Sequence, residues 1–261
     1  MKEKNNDLKL WLIICAVILG VIVLAGVISA LCGADPIAMF EDIAGMSGWW
    51  LAGAAVLIAT GFAWLIVGVK KAAQSKTSRW GVKKLMVGAM CVALSFVLSM
   101  IVLFRMPQGG SVTPACMLPI IVFSYIYGWQ YGLIAGTVLG ILNLIFDPYV
   151  IHPIQLLLDY ILGYAVIGLA GLYRKNLCLS VIIASVARWF CSVLSGVIFF
   201  AEYAGGQNVW LYSMGYNGTF MGLEAAICVV IVLIPQVSKM VEMLKKQYCE
   251  RPKKTQEAKA A

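Results

Sequence analysis

Long apolar runs, each closed off by a short polar segment, set the organisation of this chain. They cover about Leu10–Leu31, Trp49–Val69, Leu85–Phe104, Ala115–Tyr127, Leu133–Phe146, Ile154–Leu172, Leu179–Phe200 and Tyr216–Ile234. Most approach the ~20 residues a helix needs to cross a bilayer. They are continuous rather than alternating, which predicts helices and not barrel strands. The fourth run is short and must draw on its flanks or re-enter. The first is too long and too apolar for a signal peptide and reads as a retained span. Trp49 and Trp50 open the second run as interfacial aromatics.

The polar segments divide the chain. Residues 1–70 form a two-span N-terminal extension, and residues 71–84 a basic linker on the cytoplasmic side. Residues 85–240 make a six-helix membrane domain. Residues 241–261 are a polar cytoplasmic tail, expected to fray from Lys245 onward. The fold class is an all-α integral membrane protein of eight spans. Of the 20 Lys and Arg, 18 fall in the head, the segment from Lys70 to Lys84, the Tyr173–Asn176 loop and the region from Lys239 onward. With eight spans these all share one face, so the positive-inside rule puts both termini in the cytoplasm.

Composition agrees with this reading. The chain has 261 residues, 62% of them hydrophobic and 12% charged, and a mean hydropathy of +0.90. The net charge of +8 is spent on topology, which argues against nucleic acid as a partner. The eight Cys include no CxxC pair and lie mostly inside apolar runs, where a thiol acts as a small apolar group. A single His, His152, cannot anchor a multi-histidine metal site. No nucleophile elbow, zinc-protease motif or phosphate-binding loop occurs. No metal, cofactor or ATPase of its own is therefore expected.

Three ionisable residues fall within predicted spans: Asp159, Arg188 and Glu224. Each would cost roughly 2.5–3.5 kcal/mol unpaired in lipid, so each should face the bundle interior. Arg188 and Glu224 lie halfway along adjacent antiparallel spans and are expected to form a structural ion pair. Asp159 lies nearer the outer side. Arg105 is one candidate partner for it, and a ligand bearing positive charge or amino donors is the other. Ser192, Gly196 and Phe200 follow Arg188 outward along one helix face. Tyr203, Trp210, Tyr212 and Asn217 sit at about the same level. Together these groups predict a small-molecule pocket with aromatic walls and a few polar contacts. Ala89 and Ala93, four residues apart, allow another helix to approach closely.

Several stretches carry a family resemblance: GAMCVALS at 88–95, PQGGSVTPACMLPI at 107–120, LLLDYILGYAVIGLAGL at 156–172, ARWFCSVLSGVIFFAEYA at 187–204 and NVWLYSMGYNG at 208–218. From about Gly81 to Glu242 the chain resembles the thiamine-specific substrate-binding (S) component of energy-coupling factor (ECF) vitamin transporters. The resemblance implies a six-helix bundle that binds a vitamin at the outer face. It also implies partners: a coupling transmembrane subunit and two ATPase subunits, which consume the ATP. By position, Tyr212 and Asn217 match a ligand-contacting Tyr and Asn. Asp159 and Tyr160 match a Glu-Tyr pair. Ala89 and Ala93 match the face that docks the coupling subunit. Ser192 stands where the family has a His, Phe200 where it has a Trp, and Leu139 near another expected Trp. The implied ligand is thiamine, with a precursor pyrimidine or related heterocycle as the alternative.

Two other classes fit the composition. A lipid-acting membrane enzyme or scaffold would need reactive groups at headgroup level, where only topology charges are dense. An ion-coupled carrier would need more than Asp159 as a coupling carboxylate, and no inverted repeat is evident.

Overall fold

The computed structural model describes residues 82–107 and 109–249. The first two expected spans, most of the basic linker and the end of the tail lie outside the described residues. The eight-span count and the placement of the termini rest partly on those segments.

Helix α1 covers Val82–Met100. Two short antiparallel strands follow, β1 at Phe104–Arg105 and β2 at Ser111–Val112. Helices α2 (Leu118–Tyr127) and α3 (Trp129–Phe146) come next, then α4 (Pro153–Leu172) and α5 (Leu177–Phe199). A 3-10 turn at Ala201–Ala204 leads to α6 (Val209–Leu233), and α7 spans Pro235–Cys249. Among the described residues, α1, α3, α4, α5 and α6 are long and apolar enough to cross a membrane. Their polar starts are capped locally. The His152 ring accepts from Ile154 N at the start of α4, Asn176 accepts from Leu179 N at α5, and Asn208 accepts from Trp210 N and Leu211 N at α6.

The short fourth run resolves into two parts. Only Leu118–Tyr127 is helical. The residues before it enter the interior as irregular chain, and Val112, Thr113, Ala115, Cys116 and Met117 are all buried there. Non-helical backbone at this depth is tolerated because protein, not lipid, surrounds it. Ala115 has a φ of 64°, a left-handed conformation rarely adopted by a residue with a Cβ.

Three boundaries differ from the hydropathy reading. Helix α1 stops at Met100, so Phe104 belongs to β1. Helix α6 begins at Val209 rather than near Tyr216, because the Asn208 cap starts it early and Gly215, Asn217 and Gly218 are carried in its interior. Pro235 opens a further helix where its fixed φ is favourable. Residues 245–249 are therefore helical. Val241 of α7 is buried in the main core with α2, and the Tyr248 ring lies 5.9 Å from that of Tyr127.

Helices α3 and α4 approach unusually closely. A Cβ at Gly136 would sit 2.2 Å from the Tyr164 carbonyl oxygen, one at Gly140 2.0 Å from that of Tyr160, and one at Gly168 2.1 Å from Leu133 N. The spacing Gly132, Gly136, Gly140 was a legible small-residue stripe. It brings backbone against backbone and so fixes α4, the helix carrying Asp159.

Candidate ligand-binding site

Helix α4 is not regular. Leu157–Leu162 form a π-helical turn and Val166–Leu172 a 3-10 stretch. The widened turn carries Asp159 and its neighbour Tyr160 to the same cavity, and such turns often mark functional sites. Tyr160 is held from outside the helix. Its hydroxyl donates to the Asp147 carbonyl (3.0 Å) and accepts from Tyr149 N (2.7 Å).

Helices α5 and α6 pack over each other at Gly196. A Cβ there would lie 2.2 Å from Ser213 Oγ and 3.2 Å from Asn217 Nδ2. The close approach lets Ser213 Oγ donate to the Val193 carbonyl at 2.8 Å. It also lets Asn217 Nδ2 reach the carbonyls of Ser213 (3.0 Å) and Ser192 (3.3 Å). The Asn217 amide nitrogen is thus engaged, while its Oδ1 takes no hydrogen bond among the described residues.

These elements enclose a partly open cavity of ≈ 150 Å³. All seven residues expected to contact a ligand line it: Asp159, Tyr160, Ser192, Gly196, Phe200, Tyr212 and Asn217. Gly109, Gly110 and Ser111 of the β-hairpin complete its rim, with Tyr149 stacked on Phe200 at 6.2 Å and 14°. Tyr212 and Tyr216 stack at 6.1 Å, and Phe220 meets Tyr216 edge-on at 5.8 Å. Tyr203 and Trp210, expected at this level, are largely exposed and do not line the cavity.

The charged residues depart from expectation. Arg188 and Glu224 do not form a direct ion pair; among the described residues the ion pairs are Arg105–Asp147 (3.1 Å) and Lys245–Glu242 (3.6 Å). Glu224 Oε1 instead accepts from Thr113 Oγ1 at 2.7 Å and Cys116 Sγ at 3.0 Å. Both donors come from the irregular chain around Ala115, which hydropathy could not place. Arg188 lies over the Tyr164 ring, 4.1 Å from its centroid, and lines the cavity. Its Nη1 is enclosed without a hydrogen-bond partner. The two charges remain electrostatic neighbours across Cys116. Arg105 is taken by Asp147 and does not serve Asp159. Asp159 Oδ2 accepts from Gln155 Nε2 and from Ser195 Oγ, both at 2.7 Å.

Sequence reasoning passed over Gln155, Ser195 and the cavity role of Arg188. The first two had a weak signal: Gln155 is one helical turn before Asp159, and Ser195 adjoins Gly196. Ala89 and Ala93 are exposed on α1, among the exposed side chains of Met86, Met90, Leu94 and Val97.

The chain is similar to known proteins. The thiamine transporter ThiT of Bacillus subtilis (strain 168) is 36% identical over 147 residues, which span 49% of this chain and 76% of that protein. ThiT of Lacticaseibacillus paracasei is 31% identical over 137 residues, 44% of this chain and 68% of that protein. The solved structure of ThiT from Listeria monocytogenes superposes with a TM-score of 0.57 at 25% identity, covering 63% of this chain and 97% of the other. The family model described as thiamine transporter protein (Thia_YuaJ) matches residues 85–244. That match takes in more than half of the chain and every residue of the cavity, and this multi-pass membrane protein belongs to the thiamine transporter protein (Thia_YuaJ) family.

Proposed function

We propose that this chain is the thiamine-binding S component of an ECF-type importer. The cavity captures thiamine, or a precursor pyrimidine or related heterocycle, at the outer face, and partner subunits drive its uptake with ATP. The observation that carries this reading is the cavity itself. One carboxylate, Asp159, keeps an oxygen open among stacked aromatic rings, a combination suited to a flat cation. Arg188 Nη1 and Asn217 Oδ1 add one donor and one acceptor for the polar edge of a heterocycle. Asp159, Tyr160, Ser192, Gly196, Phe200, Tyr212 and Asn217 are the proposed ligand contacts. Both termini are cytoplasmic in this reading, by the distribution of Lys and Arg.

Isothermal titration calorimetry of the purified chain with thiamine tests the ligand. A saturable heat with one site per chain is expected; none up to high micromolar thiamine rejects thiamine, and the same titration with the isolated pyrimidine precursor then decides the alternative. The exposed Ala89–Ala93 face is the proposed seat of the coupling subunit, since small residues let helices approach closely. Leu at both positions should abolish co-purification with the coupling and ATPase subunits and leave the calorimetric affinity unchanged. Co-purification that survives the double substitution removes this face from the reading.

A further inference from the structure

We propose that Gln155 and Ser195 are positioning residues of the binding site, holding the Asp159 carboxylate by one oxygen so that Oδ1 alone is presented to the ligand. The inference rests on the ligand reading above only for its choice of probe. Its basis is the geometry around the carboxylate.

Both donors reach the same atom, Oδ2, at 2.7 Å each. Oδ1 receives no hydrogen bond among the described residues, and Asp159 lines the cavity. A carboxylate gripped by one oxygen cannot turn freely. Its second oxygen is therefore fixed before any ligand arrives, and the ordering cost is not charged against binding.

Gln155 can act on Asp159 only as a donor. It is 2% exposed, and both ends of its amide are committed to the backbone of the preceding loop. Its Oε1 accepts from Ile151 N (3.3 Å) and its Nε2 donates to the Tyr149 carbonyl (3.2 Å). Flipping the amide would set NH₂ against N–H and oxygen against carbonyl oxygen, losing both bonds. The loop thus decides which end of Gln155 faces Asp159, and it must be N–H. Ser195 is 1% exposed on α5 and supplies the second donor from the opposite wall. The carboxylate is clamped between α4 and α5, the two helices that also supply Tyr160 and Ser192 to the cavity.

Losing one of two charge-assisted hydrogen bonds should weaken a cationic ligand about ten-fold. The test is calorimetry of the full chain with thiamine. Ser195→Ala should lose about ten-fold in affinity, and Ser195→Thr, which keeps the hydroxyl, should restore most of it. Against Asp159→Asn, Ser195→Ala should cost nothing further. An equal loss in both backgrounds, or no loss in either, overturns the proposal, because Ser195 would then act by packing or not at all.

A second measurement needs no ligand. The infrared carboxylate bands of Asp159 are identified by their disappearance in Asp159→Asn. A carboxylate hydrogen-bonded at one oxygen has widely separated antisymmetric and symmetric stretches. Ser195→Ala and Gln155→Leu should each narrow that separation; unchanged bands overturn the proposal. If wild type gives no heat with thiamine but the bands still move, the ligand reading fails and the positioning stands.

Discussion

Two polar clusters of the helical bundle, one at each end, are built in opposite ways. At the cavity end, among the described residues, Arg188 Nη1 is enclosed without a partner, and Asp159 Oδ1 and Asn217 Oδ1 take no hydrogen bond. In the cluster at the far end, where α4 gives way to α5 and α7 folds back, Tyr125, Arg174, Glu242 and Lys245 answer one another or the backbone. Tyr125, fully buried, donates its hydroxyl to Glu242 and accepts from Lys245 Nζ at 3.1 Å. Arg174 Nε donates to the Tyr125 carbonyl at 2.8 Å and its Nη2 to that of Ile126, while Lys245 Nζ reaches the Arg174 carbonyl. Leaving a buried polar group unmet costs ~1–3 kcal/mol. A fold tolerates that cost where something else completes the bond. The far end is therefore a structural clamp, and the cavity end is a site.

The sharpest way to break this contrast is to attack what joins the two ends. Gly140→Val places side-chain atoms against the Tyr160 carbonyl, 2.0 Å from the Cβ position. Helices α3 and α4 must separate, and loss of at least about 3 kcal/mol of stability is expected. Thermal unfolding in detergent should show no cooperative transition near that of wild type. Next comes Asp159→Asn, which keeps shape and removes charge. It should weaken thiamine by about a hundred-fold while leaving the unfolding temperature within a few degrees. Calorimetry paired with unfolding checks both, and an unchanged affinity would sink the assigned role of the carboxylate.

Tyr125→Phe probes the clamp. It removes the hydroxyl that donates to Glu242 and accepts from Lys245, leaving those two only their 3.6 Å pair with each other and the Lys245 bond to the Arg174 carbonyl, and should cost about 1–2 kcal/mol in stability with thiamine affinity unchanged. A matching loss of affinity would show that the two ends are not separable. The smallest effect is expected from Arg105→Ala. Its ion pair with Asp147 is 3.1 Å long, but both side chains are more than 60% exposed, at 64% and 63%. Such surface pairs are worth about 0–1 kcal/mol, so neither unfolding nor binding should shift measurably, and a clear loss of affinity would make this bridge part of the site.

How much of this was legible beforehand depended on how local each feature is. The long helices came from hydropathy, with ends displaced where a cap or proline acted, as at Asn208 and Pro235. Six of the seven expected contacts came from residue type and spacing, and Tyr160 from the family resemblance alone. The irregular chain at 113–117 was not legible, because its burial depends on distant partners such as Glu224 of α6 and the main core. The Arg188–Glu224 pairing failed for the same reason: two charges at matching depth were assumed to meet, but Thr113 and Cys116 reach Glu224 first. The Gly132, Gly136, Gly140 stripe on α3 is present in the letters, but which helix it meets is not.

The sequence alone therefore determined that the chain enters a membrane, where most of its helices lie, and which residue types meet at one level of the bundle. These follow from transfer free energy and helical period, properties of a segment and its solvent. Only the tertiary structure decided which atoms of those residues remain open. Whether Asp159 offers one oxygen or two depends on Ser195, 36 residues away, as well as on Gln155 one turn before it, and whether Glu224 meets Arg188 is set by donors 108 and 111 residues away. Competition among such distant partners for one acceptor has no signature in local pattern.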